Sequence, residues 1–330
     1  MKSFESEYLF ALCNPGSEKA LKLEVEMMSL EWRPSYQRRG FVTFKTDSQA
    51  SVGTLDVPLA FARRLCFSFG KFKTREEAIE ILKFEAASVI HHARFHERKM
   101  QGGSQATSHQ KLEEYQSVGT VVELGSQEFW AGMHCHRSFL SPYPAGDSGL
   151  IMPDHSPSRA WLKLEEVARF FDIKFSPLDI VVELGCAPGG VVLALLDRGI
   201  SVIGVDPAKM AEAVMKSATT NREHTPSDRA WFFHCRKPAA LASKRDLGQG
   251  VTWFMSDMNQ SPEVVIKECA RFCKMATTIR GAILTLKLTD LHQIADKDKW
   301  LYSLAEIGFT KIRLQQLSVH HKELVIFALK

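Results

Sequence analysis

The chain has 330 residues, 45% hydrophobic and 24% charged, a balance that supports folded cores and excludes collagen, wholesale disorder and a small disulfide scaffold. Lysine and arginine number 42 against 38 acidic residues, so bulk charge alone does not argue for a nucleic-acid partner. There is no run of about 18 to 20 apolar residues and no signal-peptide core, and the seven cysteines form no CxxC pair. A cytoplasmic protein in a reducing compartment is expected, with its cysteines used for packing.

From the start of the chain, EYLFALC (7–13) predicts a strand, Asn14-Pro15-Gly16 a turn, and Ser17 the cap of a helix whose Leu21, Val25 and Met28 share one stripe. A strand at 40–45, a short helix after Pro58 and a strand at 65–70 follow, which makes an α+β unit over residues 1–72. Nine basic residues lie between 33 and 75 (Arg33, Arg38, Arg39, Lys45, Arg63, Arg64, Lys71, Lys73, Arg75) against Asp47 and Asp56, a candidate phosphate-facing surface. Residues 75–99 predict one long helix, Gln101–Ser104 a polar loop, and VGTVVEL with FWAGMHC a β-hairpin about Gly125-Ser126. The proline- and glycine-rich stretch 138–158 reads as a linker, with its core at 146–158.

Beyond the linker, apolar strands at 179–184, 201–205, 230–235, 251–256 and 281–287 alternate with helices at 159–171, from 189, 208–217, 262–275 and 291–307. Strands at 311–317 and 322–328 close the pattern. Such alternation predicts a parallel sheet covered on both faces, with its ligand crevice at the strands' carboxyl ends. Val181-Val182-Glu183-Leu184 runs into Gly185-Cys186-Ala187-Pro188-Gly189-Gly190, a turn where backbone can approach a ligand closely. Asp206 ends the next strand, the position from which a carboxylate accepts hydrogen bonds from the ribose of an adenosine. The loop lacks the GxGxxG that admits a dinucleotide pyrophosphate, so S-adenosylmethionine is preferred to NAD.

Four charged residues stand out nearby. Lys163 lies in the helix before the sheet, Asp257 follows one apolar strand, Lys287 ends another and Glu323 opens the last. In order, LKLEE, the glycine loop, VDPAKM, SDM, LKL and HKELVIF resemble the FtsJ-type ribose 2'-O-methyltransferases. Ser158-Arg159, FALCNPGSEKA and PLAFARRL extend the resemblance, toward members acting on a cytidine of large-subunit (23S) ribosomal RNA. It implies a Rossmann-like α/β methyltransferase domain at 159–330, with Lys163, Asp257, Lys287 and Glu323 as a catalytic tetrad and Lys287 as proton acceptor. It also implies a cofactor site of Gly185 to Gly190, Asp206 and Asp257, no metal, and a smaller α+β RNA-binding part, ferredoxin-like at 1–72 and THUMP-like at 73–145. A ribose hydroxyl is a weak nucleophile, and a lysine takes its proton only when burial or a neighbouring cation favours the neutral amine.

One departure from that family is the absence of an acid after the third strand, where Phe232-Phe233-His234-Cys235-Arg236 stands. It motivates an alternative, an RNA-binding protein whose methyltransferase fold is inactive; methylation of another RNA is a second. His91, His92, His96, His134 and His136 are expected at surface or hairpin positions, because no further ligand is spaced to complete a metal site.

Overall fold

The structure is a computed structural model that describes residues 6–50, 55–96, 99–102, 112–137, 139–216, 218 and 230–330. Two compact units emerge, one of Met1–Gly149 with Gln315–His321, the other of Leu150–Leu314 with Lys322–Lys330. Among the described residues no helix is long and apolar enough to cross a membrane.

The first unit contains β1 (Ser6–Leu12), α1 (Glu18–Met27), β2 (Trp32–Arg38), β3 (Phe41–Ala50), β4 (Arg64–Phe72), α2 (Arg75–Phe84), β5 (Val89–His96), β6 (Lys99–Gly102), β7 (Ser117–Gly125) and β8 (Glu128–Cys135). All ten elements build one eight-stranded sheet with its two helices, in the order β2-β3-β1-β4-β8-β7-β5-β6. Strands from either side of residue 72 pair directly, β4 with β8. Side chains alternate across the pleat. Val121 and Ala131 pack beneath Ala78 and Leu82 of α2, whereas Phe10, Phe41, Cys66 and Val122 form a core on the opposite face, with Tyr36 and Trp130 against it.

Several expectations are corrected here. The stretch 75–99 is a helix only to Phe84, followed by β5. The break lies at Ala86, in the left-handed region (φ 58°), and Ala87 N–H closes the helix on the Leu82 carbonyl. Glycine usually marks such a stop and its absence hides this one. No α-helix follows Pro58. The N–H groups of Ala60 and Phe61 donate instead to the buried Glu24 carboxylate, at 2.8 and 3.1 Å. Arg63 and Arg64 do not belong to a phosphate-facing surface, since they are 4% and 0% exposed. Arg64 spends its guanidinium on the Tyr143 carbonyl and on His134 Nε2, both at 2.7 Å, and Arg63 donates to Asn14 Oδ1 at 3.1 Å. The turn at Asn14 has a structural use as well, donating through Nδ2 to the Leu317 and His320 carbonyls.

Of the histidines expected at surface or hairpin positions, His134 does lie in the hairpin, on β8, but the expected exposure is not found around Arg64. His91, His134 and His136 are buried around Arg64, and the described residues hold no cluster suited to a metal. Burial first, then the Arg64 charge, pulls His91 down to about 3 and His136 to about 4, and holds His134 well below the ordinary range.

The second unit contains α3 (Ala160–Phe170), β9 (Ile180–Leu184), α4 (Gly190–Leu196), β10 (Ser201–Val205), α5 (Glu212–Met215), β11 (Phe232–Cys235), α6 (Lys244–Leu247), β12 (Val251–Ser256), α7 (Pro262–Met275), β13 (Gly281–Lys287), α8 (Lys297–Glu306), β14 (Lys311–Gln315) and β15 (Glu323–Leu329). The sheet order is β11-β10-β9-β12-β13-β15-β14. β11, β10, β9, β12 and β13 run parallel, but β15 is antiparallel to β13, so the expected all-parallel sheet reverses at its closing edge. The helix expected at 291–307 begins as a 3-10 turn, Leu291–Asp296, before α8.

The buried histidines make a prediction. Their protonation is suppressed in the folded state and ordinary in the unfolded chain, which therefore binds more protons below about pH 6.5. Stability is expected to be full above that pH and to fall as pH drops towards 4. Replacing His91, whose Nδ1 has no hydrogen-bond partner, by leucine should shallow the decline between about pH 6.5 and 5, read from urea midpoints. An unchanged slope contradicts this account.

Candidate active site

In the second unit the parallel strands deliver their carboxyl ends to one edge, and the four charged residues meet there. Lys163 projects from α3, which packs on α4. Its Nζ donates to Asp257 Oδ1 at 3.0 Å and Oδ2 at 3.1 Å, and lies 3.0 Å from Glu323 Oε2 and 3.2 Å from Oε1. Asp257 is fixed just past β12 by its N–H, which donates to the Leu184 carbonyl of β9 at 3.1 Å. Lys287 and Glu323 are cross-strand partners at the ends of β13 and β15. Lys287 Nζ donates to the Asp257 main-chain carbonyl at 3.3 Å and stands 3.8 Å from Oδ1. The side chains are 15–26% exposed, so the cluster is shielded but open to a ligand.

The two lysines are not equivalent. Lys163 is held on both sides by carboxylates, whereas Lys287 has one direct hydrogen bond, to a neutral carbonyl, and a longer ionic contact. The reversal of β15 makes this possible: an antiparallel closing strand brings its first residue, Glu323, to the edge where its neighbours end.

The glycine loop is fastened from several directions. Gly185 (φ 76°) and Gly189 (φ 114°) lie in the left-handed region. A Cβ at Gly185 would meet the Met258 backbone at 2.9 Å, and one at Gly189 would meet Val214 Cγ2 at 2.6 Å. These two glycines are thus required by close packing within the protein. Asp206 ties the loop to β10: Oδ2 accepts from Ala187 N–H at 3.1 Å and Oδ1 from Ala208 N–H at 2.8 Å. Ala211 N–H donates to the Pro188 carbonyl, and Gly190 opens α4. Cys186 is buried against Met210, and burial with the charges of Glu183 and Asp206 pushes its thiol up, which removes it as a nucleophile. At the end of β11, His234 Nε2 donates to the Asp206 carbonyl at 2.9 Å.

Glu183 was missed in the sequence as a site residue. It is 2% exposed, its Oε2 has no hydrogen-bond partner, and burial followed by Asp257 and Asp206 raises its carboxyl well above the ordinary range. It lines a cavity of about 20 Å³, space for one water, together with Lys163, Ser256, Asp257 and Thr285. A charged residue inside the apolar run VVELG was the available signal. Glu183 is thus favoured in its neutral form, and the acidic character at the carboxyl ends of β10 and β12 comes from Asp206 and Asp257.

Residues 157–289 match the family model of the FtsJ-like methyltransferases. The resemblance carried by the ordered motifs is borne out by this match. Curated relatives named ribosomal RNA large subunit methyltransferase M include those of Teredinibacter turnerae (28% identical, 52% of this chain and 46% of the relative), Tolumonas auensis (27%, 62% and 54%) and Pseudoalteromonas atlantica (34%, 38% and 33%). The matched regions span about half or less of these relatives' length.

Lys163→Met removes the cation shared by two carboxylates, so it is expected to destabilise the protein by roughly 1–3 kcal/mol. Adding Glu323→Gln should recover part of the loss, because it removes one of the stranded charges. Urea denaturation of both variants checks this; additive losses would contradict the shared-cation geometry.

Proposed function

We propose that the protein is an S-adenosylmethionine-dependent RNA methyltransferase that alkylates a ribose 2'-hydroxyl, with large-subunit (23S) ribosomal RNA as substrate and a THUMP-like RNA-binding role for the first unit. The observation that carries this reading is the convergence of Lys163, Asp257, Lys287 and Glu323 beside the glycine loop's strand. The names of the relatives support the substrate class.

The residues fit the cofactor. Gly185 to Gly190 and Asp206 form a fixed cradle at the strand ends, and the carboxylates of Asp206 and Asp257 beside it complement a cation. Bound there, S-adenosylmethionine supplies a methyl group on a positively charged sulfur. Lys287, entering as the neutral amine, would accept the 2'-hydroxyl proton at Nζ and become an ammonium ion as the oxygen takes the methyl group and the methyl–sulfur bond breaks to release a neutral thioether. Asp257 is placed to stabilise that new charge from 3.8 Å. Lys163 neutralises Asp257 and Glu323 together and holds the geometry that orients the sugar.

The alternative of an inactive fold draws on the missing acid after β11. The four-residue cluster favours the enzyme, because conserving charge balance at a strand edge would not by itself require two lysines aimed at one aspartate.

Lys287→Ala should leave binding of S-adenosylmethionine within a few-fold by calorimetry and lower methyl transfer by about 10²- to 10⁴-fold. Asp206→Ala should weaken cofactor binding instead. Near-normal turnover by the Lys287 variant would overturn its role as proton acceptor.

A further inference from the structure

The first unit carries both its α-helices on one face of its sheet, while a short 3-10 turn, Pro144–Gly146, packs on the other face against β5 and β6. Lys22 of α1 donates to Gln37, and α2 covers Val121 and Ala131. The residues that alternate with these, Tyr36, Arg38, Val122 and Trp130, point to the other face. There Trp130 stacks on Tyr36 with ring centroids 5.4 Å apart and an interplanar angle of 28°, and the Arg38 guanidinium lies 5.0 Å from the Tyr36 centroid. Further along the same face Lys45 Nζ lies 5.8 Å from the ring of Tyr8, which is 40% exposed.

Glu128 organises this group. One oxygen accepts from the Tyr36 hydroxyl at 2.5 Å and from Trp130 Nε1 at 3.4 Å, while the other lies 3.4 Å from Arg38 and 3.9 Å from Lys71. Burial would raise this carboxyl, but Tyr36, Trp130, Lys71 and Arg38 together hold it below the ordinary range, so it stays charged and keeps the four side chains in register. Arg38, Lys45 and Lys71 are about half exposed. Arg39, in the turn after β2, and Lys73, just past β4, add exposed positive charge at the strand ends. Five cations therefore accompany the aromatic side chains, and among the described residues the neighbouring acids Glu7 and Glu128 are both in ion pairs.

We propose that the end of this face centred on Tyr36 and Trp130, on the far side of the sheet from the two α-helices, binds single-stranded RNA, with bases against the aromatic side chains and phosphates on Arg38, Lys45 and Lys71. The inference rests on the RNA reading above and assigns residues to it. A pre-ordered aromatic group flanked by exposed cations matches a polyanion that also has flat apolar faces. An acidic peptide would use the cations but leave the rings unused. The basic stretch at 33–75 thereby retains a surface role, without Arg63 and Arg64.

The test is titration of the full-length protein against a fluorescein-labelled single-stranded oligoribonucleotide by anisotropy, at several salt concentrations. Tyr36→Leu should weaken binding by about 5- to 150-fold, the range for loss of one stacked base. Arg38→Gln with Lys71→Gln should reduce the slope of log affinity against log salt by about 2. These two exposed positions keep the measurement informative should Tyr36→Leu disturb folding. Lys22→Gln with Lys83→Gln, on the helix-covered side, should leave both unchanged, and polyglutamate should compete poorly. Wild-type binding that is indifferent to all the sheet-face variants would overturn the site while leaving the RNA reading intact. No binding by the wild type would overturn that reading itself, and competition by polyglutamate equal to that of RNA would point to an acidic protein partner and also refute the proposal.

Discussion

Two carboxylates held near one another at a sheet edge need a cation between them, and Lys163 supplies it from α3. The ammonium group lies 3.0 Å from an oxygen of Asp257 and 3.0 Å from one of Glu323, so three chain segments are drawn together by one charge. Everything else at the candidate site follows from that arrangement. With Asp257 already engaged, Lys287 settles against its carbonyl and keeps only a 3.8 Å ionic contact. Two lysines of the same kind are thereby given different surroundings, one bound between carboxylates and the other against a main-chain carbonyl.

The sheet provides the frame. The parallel strands β10, β9, β12 and β13 would carry charged residues only at their ends, since their interiors are buried on both faces. The antiparallel β15 adds the start of a strand to the same edge. Glu183 is the exception within a strand interior, and burial favours its neutral form, with an unpartnered oxygen next to the shared cavity.

Much of the second unit was legible because strand interiors there are apolar runs and functional residues lie at their ends; Asp257, Lys287 and Glu323 each interrupt such a pattern at a boundary. Their meeting is a tertiary fact, and only the ordered motifs hinted at it. The first unit was harder to read. β2 was missed because WRPSYQR has Pro34 and mostly exposed side chains, the marks of an edge strand and not of a buried one. The stop of α2 at an alanine gave no signal, and β5 was absorbed into the helix. Arg63 and Arg64 read as surface charge because burial of an arginine depends on carbonyl and histidine partners far away in sequence, here Tyr143 and His134. The hairpin of β7 and β8, a local structure with turn residues at its tip, was read nearly residue for residue.

The central claim, that this constellation alkylates a sugar oxygen, is tested most directly by incubating the protein with methyl-labelled S-adenosylmethionine and large-subunit ribosomal RNA from cells lacking it, then hydrolysing the RNA in alkali. A 2'-O-methyl group blocks cleavage at its own nucleotide, so the account predicts label in an alkali-resistant dinucleotide. Label recovered in mononucleotides, which places the methyl group on a base, would contradict it.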